Sequence, residues 1–84
     1  MEDKVLVDIY VPASGKQYDV RIPLVSSISD VIKTVSKMIT DMSDDSFTAS
    51  EDTVLCIRDT GTILNINISV YAAGITNGTR LMLI

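Results

Sequence analysis

The sequence predicts an α+β fold: a mixed sheet of four to five strands, covered on one face by one main α-helix. Three observations carry this. Two alternating apolar runs flank a Pro- and Gly-containing reversal near the N-terminus. An apolar stripe at helical spacing follows them. The last residues then pass from a turn dipeptide, Asn77-Gly78, straight into the aliphatic run Arg80-Leu81-Met82-Leu83-Ile84.

From Lys4 to Val11 the chain alternates, with Val5, Val7, Ile9 and Val11 on one face and Lys4, Leu6, Asp8 and Tyr10 on the other. Tyr18, Val20 and Ile22 resume the alternation after Pro12-Ala13-Ser14-Gly15-Lys16, so the two runs are expected to pair as an antiparallel hairpin. Pro23 ends the second strand or places it at a sheet edge, because proline has no N–H for a ladder. Ser27 and Asp30 have the spacing of a capping box, and a helix to about Met42 follows. Its stripe is Ile28, Ile32, Val35, Ile39 and Met42, widened by Val31 and Met38. Residues 43–52 are acidic and polar, the composition of a surface loop, with Phe47 expected to tuck onto the core. Thr53 to Arg58 reads as a third strand ending at Asp59-Thr60-Gly61, and Ile63 to Ile68 as a short fourth. Val70 to Gly74 can form one helical turn before the closing strand.

That closing strand aims Leu81 and Leu83 at one face and Arg80, Met82 and Ile84 at the other. Four consecutive aliphatic residues, worth roughly 1.5–3 kcal/mol each when fully buried, require an interior position in the sheet. A right-handed crossover brings the strand beside the first one and parallel to it. Hairpin, covering helix and central final strand together describe a ubiquitin-like β-grasp.

Eighty-four residues are expected to make a single domain, 1–84, with one core and little room for an enclosed active site. The formal charge is −4 and the seven bases are scattered, which argues against nucleic acid and anionic lipid as partners. The sequence has no transmembrane stretch, and Met1-Glu2-Asp3-Lys4 does not resemble a signal peptide; the expected location is the cytoplasm. Histidine is absent, which removes the commonest general base and zinc ligand. Cys56 is the only cysteine; with no histidine to activate it and Val54, Leu55 and Ile57 beside it, it reads as a packing residue and not a nucleophile. Asp44-Asp45 and Glu51-Asp52 lack the alternating ligands and turn glycine of a calcium loop. Asp59-Thr60-Gly61 is a single copy of a triplet that aspartic proteases need twice, so it reads as a turn. No catalytic, metal or cofactor-binding residue is assigned, and an enzyme is not expected.

The segment Gly74-Ile75-Thr76-Asn77-Gly78, then Arg80-Leu81 and a terminal apolar pair, resembles the closing motif of the YukD/EsaB family. These are small ubiquitin-like proteins encoded with Gram-positive type VII secretion systems. The run Val54-Leu55-Cys56-Ile57-Arg58-Asp59-Thr60-Gly61-Thr62-Ile63-Leu64 is similar as well. The resemblance covers the whole length in layout and about the last thirty residues in detail. It implies an accessory or regulatory protein without the Gly-Gly tail that conjugation needs, and Leu83-Ile84 stands where such a tail would begin. It also implies docking on the cytosolic parts of a secretion membrane and ATPase assembly, because a related mycobacterial membrane subunit carries a similar domain.

The open sheet face is the expected partner surface, formed by Val54, Cys56, Arg58, Arg80, Met82 and Ile84, with an apolar centre and an arginine rim. An apolar face of this kind would also support a homodimer. Two other readings stay open: a generic ubiquitin-like adaptor in another cytosolic complex, and a carrier protein lacking its C-terminal Gly-Gly.

Overall fold

The computed structural model describes residues 3–42 and 53–84. The expected loop at 43–52, with Phe47, lies outside the described residues, as does the side chain of Met42. Four strands, β1 (Lys4–Val11), β2 (Lys16–Pro23), β3 (Leu55–Ile57) and β4 (Arg80–Leu83), form one sheet in the order β2-β1-β4-β3, and α1 spans Ile28–Met42. β1 is antiparallel to β2 and parallel to β4, while β3 is antiparallel to β4. The closing strand is therefore central, and the architecture is the ubiquitin-like β-grasp.

The core is aliphatic. Val5, Val7, Ile9 and Val11 of β1 and Leu81 and Leu83 of β4 are buried with Ile28, Val31, Val35 and Ile39 of α1. Sheet alternation thus sends the expected residues toward the helix. The helical stripe is rotated slightly from its expected position: Val31 lies on its axis, and Ile32 is half-buried at its margin. Ser36 is buried as well.

The expected fourth strand at Ile63 to Ile68 does not form. One bridge joins Cys56 to Ile63, Ile57 N–H donates to Thr62 O at 2.8 Å, and Leu64 N–H donates to Leu55 O at 2.9 Å. Then Asn65 turns the chain: its Oδ1 accepts from Asn67 N–H at 2.9 Å, and its carbonyl accepts from Ile68 N–H at 3.4 Å. The turn delivers carbonyls to the start of α1. Ile28 N–H donates to Ile68 O at 2.9 Å and Ser29 N–H to Ile66 O at 3.1 Å, while Ser27 Oγ accepts from Asp30 N–H at 3.1 Å. Three donors that a helix start leaves without intrahelical partners are satisfied in this way.

The helical turn expected at Val70 to Gly74 is present. Ser69 Oγ accepts from Ala72 N–H at 3.0 Å, and Ala73 N–H donates to Ser69 O at 3.0 Å. At the other end Gly74 N–H reaches Tyr71 O at 3.1 Å and Ile75 N–H reaches Val70 O at 3.4 Å, the paired bonds of a Schellman closure. That closure needs a left-handed residue, and Gly74 has φ 77°. Val70 and Ile75, the apolar pair such a closure brings together, both join the core.

Candidate functional site

Two backbone registers build the open face. Parallel pairing places Asp8 beside Arg80 and Tyr10 beside Met82, and antiparallel pairing places Cys56 opposite Met82. The ladder continues past β3: Val54 and Ile84 exchange N–H···O bonds of 2.7 and 3.0 Å, and Arg58 N–H donates to Arg80 O at 2.9 Å. Val54, Cys56, Arg58, Arg80, Met82 and Ile84 accordingly come together on the face turned away from α1. Their exposure differs. Ile84 is 49% exposed and Met82 and Val54 are half-buried, whereas Cys56 is 2% exposed and supplies floor rather than contact surface.

Cys56 is covered because the 62–64 segment pairs along the outer edge of β3, a tertiary arrangement that the six-residue alternation of Thr53 to Arg58 does not reveal. Burial pushes its thiol up, the direction that keeps it protonated and unreactive. Ile63, bridged to Cys56, is 63% exposed and adds apolar surface on the same side.

The arginines are held in place. The Arg58 guanidinium lies 4.6 Å from the centroid of the Tyr10 ring, a cation–π geometry. Arg80 Nη2 lies 2.6 Å from Asp59 Oδ1, and because both side chains are more than half exposed, the pair adds about 0–1 kcal/mol to stability. Its effect is to orient the guanidinium at the rim. Tyr10 and Leu6 belong to the face although reasoning on the closing strand alone misses them; the alternation of β1, combined with its parallel register to β4, is the signal that finds them. Asp8 sits between Arg80 on β4 and Asp19 on β2, and its buried Oδ1 has no hydrogen-bond partner among the described residues.

Among the described residues no group of three or more Cys, Asp or Glu side chains is placed to hold a metal ion, and no helix is long and apolar enough to cross a membrane.

The family model described as "WXG100 protein secretion system (Wss), protein YukD" matches residues 5–83. The chain belongs to the YukD family. No curated protein matches the sequence significantly. Among solved structures, the ubiquitin-like domain of EccD5 from Mycobacterium xenopi is 24% identical with a TM-score of 0.72, over 96% of this YukD-family chain and 92% of that one. The ubiquitin-like domain of the Mycobacterium tuberculosis type VII secretion protein EccD1 is 21% identical with a TM-score of 0.66, covering 96% and 97%. A chain of the MycP5-free ESX-5 inner membrane complex is 20% identical with a TM-score of 0.73; the match covers 98% of the present chain but 21% of that longer one. The likeness extends beyond secretion: a structure described as molecular mimicry of SUMO that promotes DNA repair is 14% identical with a TM-score of 0.78, covering 100% and 94%. These likenesses are of fold, and the family match carries the link to secretion.

Proposed function

We propose that this YukD-family chain is a non-catalytic accessory protein of a type VII secretion system that acts in the cytoplasm by docking on a protein partner and not by conjugation. The observation that carries this is the open sheet face, where Met82, Ile84 and Val54 form an apolar patch bordered at one end by two oriented arginines. Such a patch with a polar rim is the anatomy of a protein interface, and exposed apolar side chains grouped on a sheet gain from being covered. The partner is a cytosolic part of the secretion membrane and ATPase assembly. Support comes from the family match and from the similar domain that forms part of a chain in the ESX-5 inner membrane complex.

The test is capture of the assembly's cytosolic subunits by the tagged chain in cells that carry the secretion system. Met82→Asp combined with Ile84→Asp is expected to abolish capture while the chain still unfolds cooperatively in urea, at a lowered midpoint. Undiminished capture by a folded double variant would defeat the reading. Finding Ile84 covalently joined to another protein would defeat the non-conjugating part of it.

A further inference from the structure

Among the described residues β2 pairs with β1 and with no other strand, so its far side is an edge of the sheet. Leu6 N–H donates to Asn77 Oδ1, Gly78 N–H to Leu6 O and Asp8 N–H to Thr79 O, which turns the backbone groups of the even-numbered β1 residues toward β4 and the turn before it. Val5, Val7, Ile9 and Val11 therefore bond β2 through their partners Ile22, Val20, Tyr18 and Lys16. The N–H and C=O groups of Gln17 and Asp19 point the other way, out of the sheet. We propose that this edge takes an extended segment of a protein partner as an added strand, with a basic residue opposite Asp19 and apolar residues on either side of it over the groove between β2 and α1.

The backbone dictates the form of the ligand. Gln17 and Asp19 each turn one donor and one acceptor outward, two residues apart, a spacing that an antiparallel strand matches and an isolated side chain does not. Neither residue makes a hydrogen bond outside the hairpin among the described residues. Pro23 closes this edge. It falls on the same outward register, where a missing N–H costs no bond to β1 and leaves an added strand no donor to use. The added strand is accordingly short and centred near Asp19.

The side chains dictate its sequence. On the helix side a groove of about 140 Å³ runs between β2 and α1, with apolar walls from Val20, Ile22, Val31, Val35 and Met38 and with Asp30 among its polar residues. A strand added about 4.8 Å from β2 sets side chains beside Tyr18 and Val20 on this side, where both are only partly buried and an apolar neighbour completes their cover. On the other side Asp19 is exposed and stands across from Asp8, a pairing of like charges. The second cross-strand neighbour of Asp8 is Arg80, whose guanidinium reaches Asp59 at 2.6 Å. A lysine or arginine opposite Asp19 offsets the repulsion within the acidic pair, whereas an acid there adds to it. Charge complementarity thus selects a basic residue at the position that the backbone register brings against Asp19.

The experiment is a titration of the ¹⁵N-labelled full chain with a capped Ser-Thr-Val-Lys-Val-Thr-Ser peptide, followed by amide shifts and amide hydrogen exchange. The expected result is saturable shifts at Gln17, Asp19, Val20 and Met38, with exchange at Gln17 and Asp19 fast in the free chain and slowed on binding. Asp19→Lys is expected to weaken binding about fivefold, the upper scale of one cross-strand charge pair. Methylating the main-chain nitrogen of the peptide's lysine removes the N–H that faces the Asp19 carbonyl, and is expected to abolish binding without any change to the protein. Four results would overturn the assignment: slow exchange at Gln17 and Asp19 in the free chain, undiminished binding of the methylated peptide, equal binding of a capped Ser-Thr-Val-Glu-Val-Thr-Ser peptide, or concentration-dependent shifts at this edge without peptide, the mark of a second copy. Undiminished binding by the folded Met82→Asp, Ile84→Asp variant supports it and separates its fate from that of the open face, which the capture assay decides.

Discussion

Leu81→Asp and Met82→Asp are adjacent changes with opposite expected outcomes. Leu81 is fully buried in the central strand, in register with Ile9 on one side and Ile57 on the other. Losing the leucine side chain costs about 2–5 kcal/mol in a core that relaxes only partly. A carboxylate placed there without a partner adds several kcal/mol, through desolvation or through the protonation that avoids it. Against this, a chain of 84 residues has roughly 4–13 kcal/mol of stability, so Leu81→Asp is expected to be unfolded at neutral pH. Met82 is half-buried beside Tyr10 and Cys56 on the other face, and Met82→Asp is expected to lose about 1–2 kcal/mol. With a urea slope of about 1 kcal/mol/M for so small a domain, the midpoint falls by about 1–2 M. Urea titration followed by far-ultraviolet circular dichroism measures both variants. A folded Leu81→Asp protein, or a Met82→Asp protein as unfolded as its neighbour, would refute the assignment of the two faces.

The remaining expectations concern single positions. Gly78 has φ 86°, and a β-carbon there meets nothing within 4 Å, so Gly78→Ala is expected to cost about 1–2 kcal/mol through backbone strain alone, read as a lower melting temperature that Gly78→Asn partly restores. Asp8→Asn removes a cross-strand like-charge pairing with Asp19 and is expected to raise stability by about 0.2–1 kcal/mol; a lower urea midpoint would show that the carboxylate is needed. Because burial raises the Cys56 thiol, the folded chain holds that proton more tightly than the unfolded chain. The associated stability is complete below the unfolded thiol's pKa and declines as pH rises past it. Melting temperature is therefore expected to fall at alkaline pH less in Cys56→Ala than in the wild type, and iodoacetamide is expected to label Cys56 in urea but not in the native chain at pH 8.

Much of the architecture is local in origin and hence legible in the residues. β1 and β2 show a period of two with one apolar face, β4 stands out as an aliphatic run, α1 shows its own period and cap, and Asn77-Gly78 marks the turn before the closing strand. The failure at Ile63 to Ile68 has a physical cause. Leu64, Ile66 and Ile68 alternate with Asn65 and Asn67 as a strand should, but Asn65 competes through its own side chain, and the carbonyls of Ile66 and Ile68 are drawn to the first N–H groups of α1. That demand is set by an element far away in sequence. The open face, the proposed docking surface, divides in the same way. Arg80, Met82 and Ile84 follow from alternation within one strand, whereas Tyr10 and Leu6 need the parallel register, and the burial of Cys56 needs the 62–64 segment outside β3.

One strand thus serves two purposes on alternate residues: Leu81 and Leu83 are fully buried, while Met82 and Ile84 retain surface in water. The two sets are separable by mutation but coupled in energy. A partner that covers Met82, Ile84 and Val54 binds the folded chain and not the unfolded one, so it stabilises the fold by about 2.7 kcal/mol at a hundredfold excess over its dissociation constant. For a small domain this is a large fraction of the total, because its core is a single aliphatic layer between one helix and one sheet. Association with the secretion assembly would therefore also protect the chain from unfolding and proteolysis. A docking variant such as Met82→Asp with Ile84→Asp would lose that protection in the cell while remaining folded, though less stable, in the test tube. The two effects separate when abundance is compared with and without the partner: a drop for the wild type on partner deletion, and none for the double variant, follows from this coupling and from no purely structural role of Met82 and Ile84.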